Sequence, residues 1–104
     1  MSTLTLKNNP ERHRYEAFAD GVLVGYAIYN LLGDSLAITH TEVLREHEGK
    51  GIGSYIAREV LADARKQGKY VVPKCSFIAA YLSKHRDDAD LVPPEIHATF
   101  RICA

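Results

Sequence analysis

Glu48-Gly49-Lys50-Gly51-Ile52-Gly53-Ser54 sets three glycines at alternate positions immediately before a long apolar-periodic segment. Lacking a Cβ, alternating glycines let a chain turn sharply and leave successive backbone N–H groups open to a ligand. A helix that begins inside such a loop adds unpaired N–H donors and the positive end of its dipole. The chemistry this serves is anion binding, and the fitting anion is a phosphate or pyrophosphate. The plainer alternative is a glycine-rich turn into a helix with no ligand. His40 and Glu42 form a second pair with chemical capacity, because residues two apart on a strand share one face. They are placed either to act as a general base or to serve as ordinary strand residues.

The elements that must position these groups follow from the apolar patterning. Asp20-Gly21 between Tyr15-Glu16-Ala17-Phe18 and the run Val22 to Tyr29 is a type I′ hairpin signal. Gly33-Asp34 predicts a second turn into Ser35 to Val43, so the first part of the chain is an antiparallel meander, extended by Leu4 to Lys7. The period then changes. Ile52, Ile56, Val60 and Ala64, flanked by Ala57 and Leu61, form a helical stripe. Arg65 and Lys66 close its last turn and Gly68 supplies a stop. Tyr70-Val71-Val72 predicts a short buried strand ended by Pro73, which completes a βαβ unit with parallel flanking strands. A second helix is expected from about Ser76 to Ser83, carrying Phe77, Ala80, Tyr81 and Lys84. Pro93-Pro94 closes the expected compact domain, residues 1–94, and leaves 95–104 as an edge strand or tail.

The chain has 104 residues, the size of one domain with a single core. Thirteen basic residues balance thirteen acidic ones, which argues against nucleic acid or a membrane surface as the main partner. No apolar run approaches the ~20 residues of a membrane span, and Met1 to Leu6 lacks the pattern of a signal peptide. Cys75 and Cys103 have no metal-ligand spacing with the histidines, so no metal is expected. The expected setting is the cytoplasm, with reduced thiols, as a monomer or weak dimer.

Known phosphate loops narrow the reading. A Walker loop needs Ser or Thr after Gly-Lys, whereas Gly49-Lys50 is followed by Gly51. A dinucleotide fingerprint follows the first strand of an alternating α/β fold, whereas here a meander comes first. The sequence instead resembles the GNAT superfamily of acetyl-CoA-dependent N-acetyltransferases, whose signature Q/R-x-x-G-x-G/A lies between a strand and a long helix. Three blocks carry the resemblance: His40-Thr41-Glu42-Val43, the Gly49 to Ser54 run, and Val71-Val72-Pro73-Lys74-Cys75-Ser76-Phe77. They are similar to a small, stripped-down branch of that superfamily, over roughly Tyr15 to Val92. Glu48 departs from the usual Gln or Arg at the first signature position, and a carboxylate there weakens the hold on a pyrophosphate.

The resemblance implies an α/β (α+β) GNAT-like fold in which a meander leads into a βαβ unit with splayed parallel strands. It implies acetyl-CoA as co-substrate. Its pantetheine arm would lie along the strand edge at Thr41 and Val43, and its pyrophosphate on the backbone of Gly49, Lys50, Gly51, Ile52, Gly53 and Ser54. Cys75 would then lie near the thioester. It opens a helix and follows Lys74, so the dipole and the ammonium favour a thiolate that accepts acetyl; alternatively it lines the slot as a small apolar residue. Tyr81 is similar in placement to the family tyrosine that protonates the departing CoA thiolate, or it is simply packed. His40 is the candidate base.

Family members build the acceptor pocket from helices between the first two strands. Only Asn8 to Arg14 lies there in this chain, so the expected cleft is open and suits a protein or peptide amine. The expected function is an N-acetyltransferase of low intrinsic activity; the alternative is a non-catalytic CoA-binding module or a GNAT-like interaction domain.

Overall fold

The computed structural model describes residues 3–49 and 51–92. Strands β1 (Leu4–Asn9), β2 (Arg14–Ala19), β3 (Val22–Leu32) and β4 (Ser35–Val43) run antiparallel in sequence order. Helix α1 (Ile52–Lys66) connects β4 to β5 (Tyr70–Pro73), which pairs parallel to β4, and α2 (Ser76–Lys84) follows. The predicted meander and crossover are therefore present, with β1 two residues longer than expected. A one-turn 3₁₀ helix, Pro10–Arg12, occupies the space between β1 and β2. Expectations for residues 93–104 and for Lys50 lie outside the described residues.

The turns obey local backbone chemistry. Asp20 and Gly21 both take positive φ (51° and 85°), as a type I′ hairpin requires. Gly33 alone is positive (62°) at the second hairpin. Helix α1 ends in a Schellman motif: Gly68 is left-handed, Lys69 N–H donates to Ala64 C=O (2.9 Å) and Gly68 N–H to Arg65 C=O (3.1 Å).

Both helices pack on one face of the sheet. The stripe read from the sequence, Ile52, Ile56, Ala57, Val60, Leu61 and Ala64, is the buried side of α1. It joins Tyr15, Ala17, Val24, Ala27, Tyr29, Leu36 and Ile38 from the strands, and Ile78 and Leu82 from α2, in a single apolar cluster. Helix α1 approaches β3 closely at Gly25, where a Cβ would meet Ile56 Cδ1 at 2.9 Å and Glu42 C=O at 2.8 Å. Among the described residues no helix is long and apolar enough to cross a membrane.

Two β-bulges set which side chains face this core. Leu32 to Tyr29 pair with Ser35 to Ile38, but Ile28 pairs with His40, so Thr39 is an extra residue in β4. Beyond that bulge Thr41 and Val43 turn toward the helices, whereas His40 and Glu42 project from the opposite, outer face. A second bulge between Ala17 and Phe18 in the β2–β3 pairing accommodates Val24 in the same way.

Candidate active site

Strand β4 presents an unpaired edge beside the glycine turn. Leu44 N–H donates to Val24 C=O (2.9 Å), so by antiparallel alternation Glu42 and His40 also direct their backbone groups at β3. The N–H and C=O of Thr41 and Val43 therefore point the other way. On that side β5 pairs only as far as Ile38, opposite Pro73. The last link between the two strand ends is Cys75 N–H to Ile38 C=O (2.8 Å). Past that bond the parallel strands part, and the edge at Thr41 and Val43 has no strand partner among the described residues.

The three glycines do different jobs. Gly49 and Gly51 adopt left-handed φ of 81° and 76°, and no atom lies within 4 Å of where a Cβ would stand at either. Only glycine takes these angles without strain. Gly53 is already inside α1. Its missing side chain makes room for the Phe77 ring, since a Cβ there would meet Cζ at 2.9 Å. Gly51 is the N-cap of α1, with no side-chain cap, and the first intrahelical bond runs from Tyr55 N–H to Gly51 C=O (3.1 Å). The N–H groups of Ile52, Gly53 and Ser54 consequently have no acceptor among the described residues, which leaves the positive end of the helix open.

Edge and turn meet in one cleft. A hollow of about 390 Å³ is lined by Val43, Glu48, Gly49, Gly51, Ile52, Gly53, Ser54 and Phe77. An adjoining hollow of about 450 Å³ runs along Thr41, Glu42, Val43, Leu44, Arg45 and Glu48. Thr41 Oγ1 is buried and has no hydrogen-bond partner among the described residues, an arrangement that costs roughly 1–3 kcal/mol when left unfilled. A separate hollow near the far end of α1, bounded by Tyr15, Asp63 and Lys66, shares no residue with this cleft.

The remaining predicted residues, Cys75, Tyr81 and His40, line neither hollow. Cys75 is the N-cap residue of α2 and is 7 % exposed within the apolar cluster. Tyr81 is half-buried on α2; burial, followed by the charge of Asp88, pushes its phenol above the ordinary value, while Arg58 opposes the shift. Its ring stacks on His85 at 3.8 Å and 12°. The Nδ1 of the exposed His85 also lies 2.8 Å from Tyr81 C=O. His13 meets the Tyr29 ring edge-on at 6.5 Å. His40 lies on the outer face with Nε2 3.6 Å from Glu42 Oε1. Tyr26 on β3 donates its hydroxyl to Glu42 Oε2 (2.8 Å).

Sequence reasoning passed over Phe77 and Tyr26 as participants. Phe77 carried a helical-spacing signal and a place at the end of the third resembling block, neither of which marks it as a cleft wall. Tyr26 comes opposite Glu42 only because the Thr39 bulge shifts the register, and no short sequence signal marks that bulge. Among the described residues there is no group of three or more His, Cys, Asp or Glu side chains arranged to hold a metal.

A strand edge left open where two parallel strands diverge, facing a glycine turn at a helix N-terminus, is the arrangement expected of an acyl-CoA-dependent transferase. Comparison with known protein families matches residues 14–91 to the GCN5-related N-acetyl-transferase family. The chain belongs to that family, whose members are acyltransferases that generally use acetyl-CoA. A GCN5-like putative N-acetyltransferase from Staphylococcus aureus shares the fold with a TM-score of 0.67, covering 89% of this chain and 91% of its own at 23% identity. The ribosomal-protein-S18-alanine N-acetyltransferase from Escherichia coli aligns with a TM-score of 0.56 at 11% identity, over 68% of this chain. The chain spans 64% of that enzyme's length, just under two thirds. At these identities the likeness establishes the fold. Comparison with curated proteins gives no match.

Proposed function

We propose that the chain is an acetyl-CoA-dependent N-acetyltransferase acting on a protein or peptide amine. The observation that carries this reading is the cleft itself, in which uncapped N–H groups of Ile52, Gly53 and Ser54 lie beside the unpaired edge at Val43. The residues present fit the co-substrate. Gly49 and Gly51 leave space at the turn for a pyrophosphate, the backbone of Val43 is free to pair with pantetheine amides, and Thr41 Oγ1 is a buried hydroxyl in want of a partner. The thioester end then falls where the strands part, next to Cys75.

In the transfer, the acceptor ammonium gives up a proton and its nitrogen attacks the thioester carbonyl. The N–C bond forms, the C–S bond breaks, and the departing thiolate takes a proton as the new amide loses one. His40 serves as the base on the outer face, and Tyr81, a phenol that is protonated at neutral pH, donates to the thiolate before recovering its proton from solvent. Cys75 either lines the slot or takes the acetyl on Sγ first, releasing CoA and then giving the acetyl to the amine. The short 3₁₀ turn at Pro10–Arg12 supports an open acceptor side and hence a polypeptide acceptor. Glu48, which lines both hollows, supports weak cofactor binding and low intrinsic activity. The same carboxylate is the one feature that favours the second reading, a CoA-binding module without catalysis.

Thermal melts with acetyl-CoA at a hundred times its dissociation constant should show about 2.7 kcal/mol of added stability; no shift would overturn both readings. Intact mass after incubation with acetyl-CoA then separates the chemical routes. A single acetyl adduct that disappears in Cys75→Ala supports the covalent route. An unmodified protein that still releases CoA when peptide amines are supplied supports direct attack. An unmodified protein that releases none across an acceptor screen leaves the binding module.

A further inference from the structure

Strand β1 is one edge of the sheet, and two hydrogen bonds fix which of its backbone groups face outward. Asp20 N–H donates to Thr3 C=O (3.1 Å), so by antiparallel alternation Thr5, Lys7 and Asn9 turn their backbone groups toward β2. Tyr29 N–H donates to His13 C=O (2.8 Å), which commits Tyr15 and Ala17 to β3 and leaves Arg14, Glu16 and Phe18 for β1, in agreement. The N–H and C=O groups of Leu4, Leu6 and Asn8 therefore point away from the sheet, with no partner among the described residues.

Proteins usually blunt such an edge with a proline, a bulge or a charge that points toward the core. Strand β1 carries none of these. Its pairing with β2 has no register shift, and its side chains on the helix side are Leu4, Leu6 and Asn8, opposite Ala19, Ala17 and Tyr15. Pro10 lies just beyond its end. Leu4 and Leu6 are only partly buried against the core, and Leu6 and Asn8 border the hollow of about 280 Å³ beside α1. The opposite edge of the sheet is less suited to pairing, because β5 has four residues and one of them, Pro73, lacks an N–H.

The residues of β1 suit a second copy of β1, in one register. A two-fold axis at Leu6 sets Leu6 opposite Leu6, Leu4 opposite Asn8, Thr5 opposite Lys7 and Thr3 opposite Asn9. Each outward N–H and C=O then meets its complement, and the leucines of both copies gather on the helix side. An axis at Lys7 would face lysine with lysine, and Leu4 with Pro10, which has no N–H to give. An axis at Asn8 would set Leu6 against the same proline, and one at Thr5 would run Asn8 past the start of the strand.

We infer that β1 is a self-association surface, through which two copies of the chain join edge to edge, with the same residues on both sides, into one continuous sheet. Thirteen basic residues balance thirteen acidic ones, so no net charge opposes the contact. Strands β2 and β3 separate β1 from β4, so both cofactor clefts stay open in the dimer.

The test is sedimentation equilibrium of the full chain over a wide concentration range, with amide hydrogen exchange followed by NMR alongside. The mass should rise from monomer toward dimer, and the amides of Leu4, Leu6 and Asn8 should gain protection over the same range. Thr5 and Lys7 are exposed, so a charge placed at position 5 reads the register without disturbing the core. Thr5→Glu meets Lys7 of the second copy on both sides of the axis and should tighten the dimer by about threefold to tenfold; Thr5→Lys should weaken it by a similar factor. A chain that stays monomeric at every concentration would overturn the inference and leave the edge to an unrelated strand. A dimer indifferent to both substitutions would overturn it too, since another face would then be in use. So would a Leu6 amide already protected in the dilute monomer, because the chain itself would then cover the edge.

Discussion

Alanine at Gly51 and at Gly53 should have opposite consequences, although the two positions are two residues apart. Gly51 holds a φ of 76° with nothing near its absent Cβ, so alanine there meets no clash, only backbone strain. The left-handed conformation costs an L-residue roughly 1–2 kcal/mol, offset in part by the lower entropy of an unfolded chain with one glycine fewer. A net loss of about 1 kcal/mol corresponds to a Tm roughly 4–8 °C lower for a domain near this size. Gly53 is helical, so alanine gains part of the ~1 kcal/mol propensity difference between the two residues. Its Cβ meets Phe77 Cζ at 2.9 Å, but that ring is 40% exposed and can swing outward at little cost. Gly53→Ala should therefore melt within about 3 °C of the wild type. The ring that moves is a wall of the cleft, so the acetyl-CoA stabilisation expected of the wild type should shrink in this variant. Thermal melts of both variants, with and without acetyl-CoA, decide the matter. Equal destabilisation, or a Gly53→Ala protein less stable than Gly51→Ala, would refute the division of labour among these glycines.

Two further perturbations probe the frame that holds the site. Tyr15 is buried and donates its hydroxyl to Asp63 Oδ2, and burial first, then that carboxylate, pushes its phenol well above the ordinary value. The folded state therefore retains this proton longer than the unfolded chain, so the stabilisation is present below the unfolded pKa near 10 and falls away as pH rises beyond it. Tyr15→Phe should cost about 1 kcal/mol at pH 7 and show a shallower loss of stability above pH ~10 in denaturant titrations. In the same last turn of α1, Arg65 donates to both oxygens of Asp90 (2.8 and 2.9 Å) and to Asp88 (3.3 Å), pinning the 3₁₀ segment Arg86–Leu91 to the helix. The hydrogen bond from Arg65 holds the Asp90 carboxyl below its usual range, so the stabilisation is present above pH ~4 and is lost as pH falls through the lower folded value. Because the pair is largely exposed, Arg65→Ala should cost only ~0.5–1 kcal/mol at pH 7 and low salt, and clearly less in high salt or near pH 2, as measured by urea unfolding.

The chain's local chemistry is written in its sequence. Asp20-Gly21 dictates a type I′ turn because both residues tolerate positive φ, and the angles there are 51° and 85°. The stripe from Ile52 to Ala64 determines which side of α1 is buried, since residues three and four apart share a helix face. Gly49 and Gly51 mark a sharp turn for the same reason of backbone freedom. Together these determined the meander, the crossover helix and the family. The tertiary structure decided which faces the remaining groups occupy. Counting back from Leu32 and Ser35 without interruption would set Tyr26 opposite Thr41 and turn His40 and Glu42 inward beneath the helices. The extra residue at Thr39 shifts the register by one, which in a strand exchanges the two faces. That single bulge sends Thr41 and Val43 toward the helices, brings Tyr26 to Glu42 on the outside, and so separates the two sides of the candidate site. Gly53 is the parallel case in the helix: its type reads as loop chemistry, and only the arrival of Phe77 from α2 gives it a packing role. Register and long-range contacts depend on how the whole sheet and both helices pack, and no stretch of a few residues contains that information.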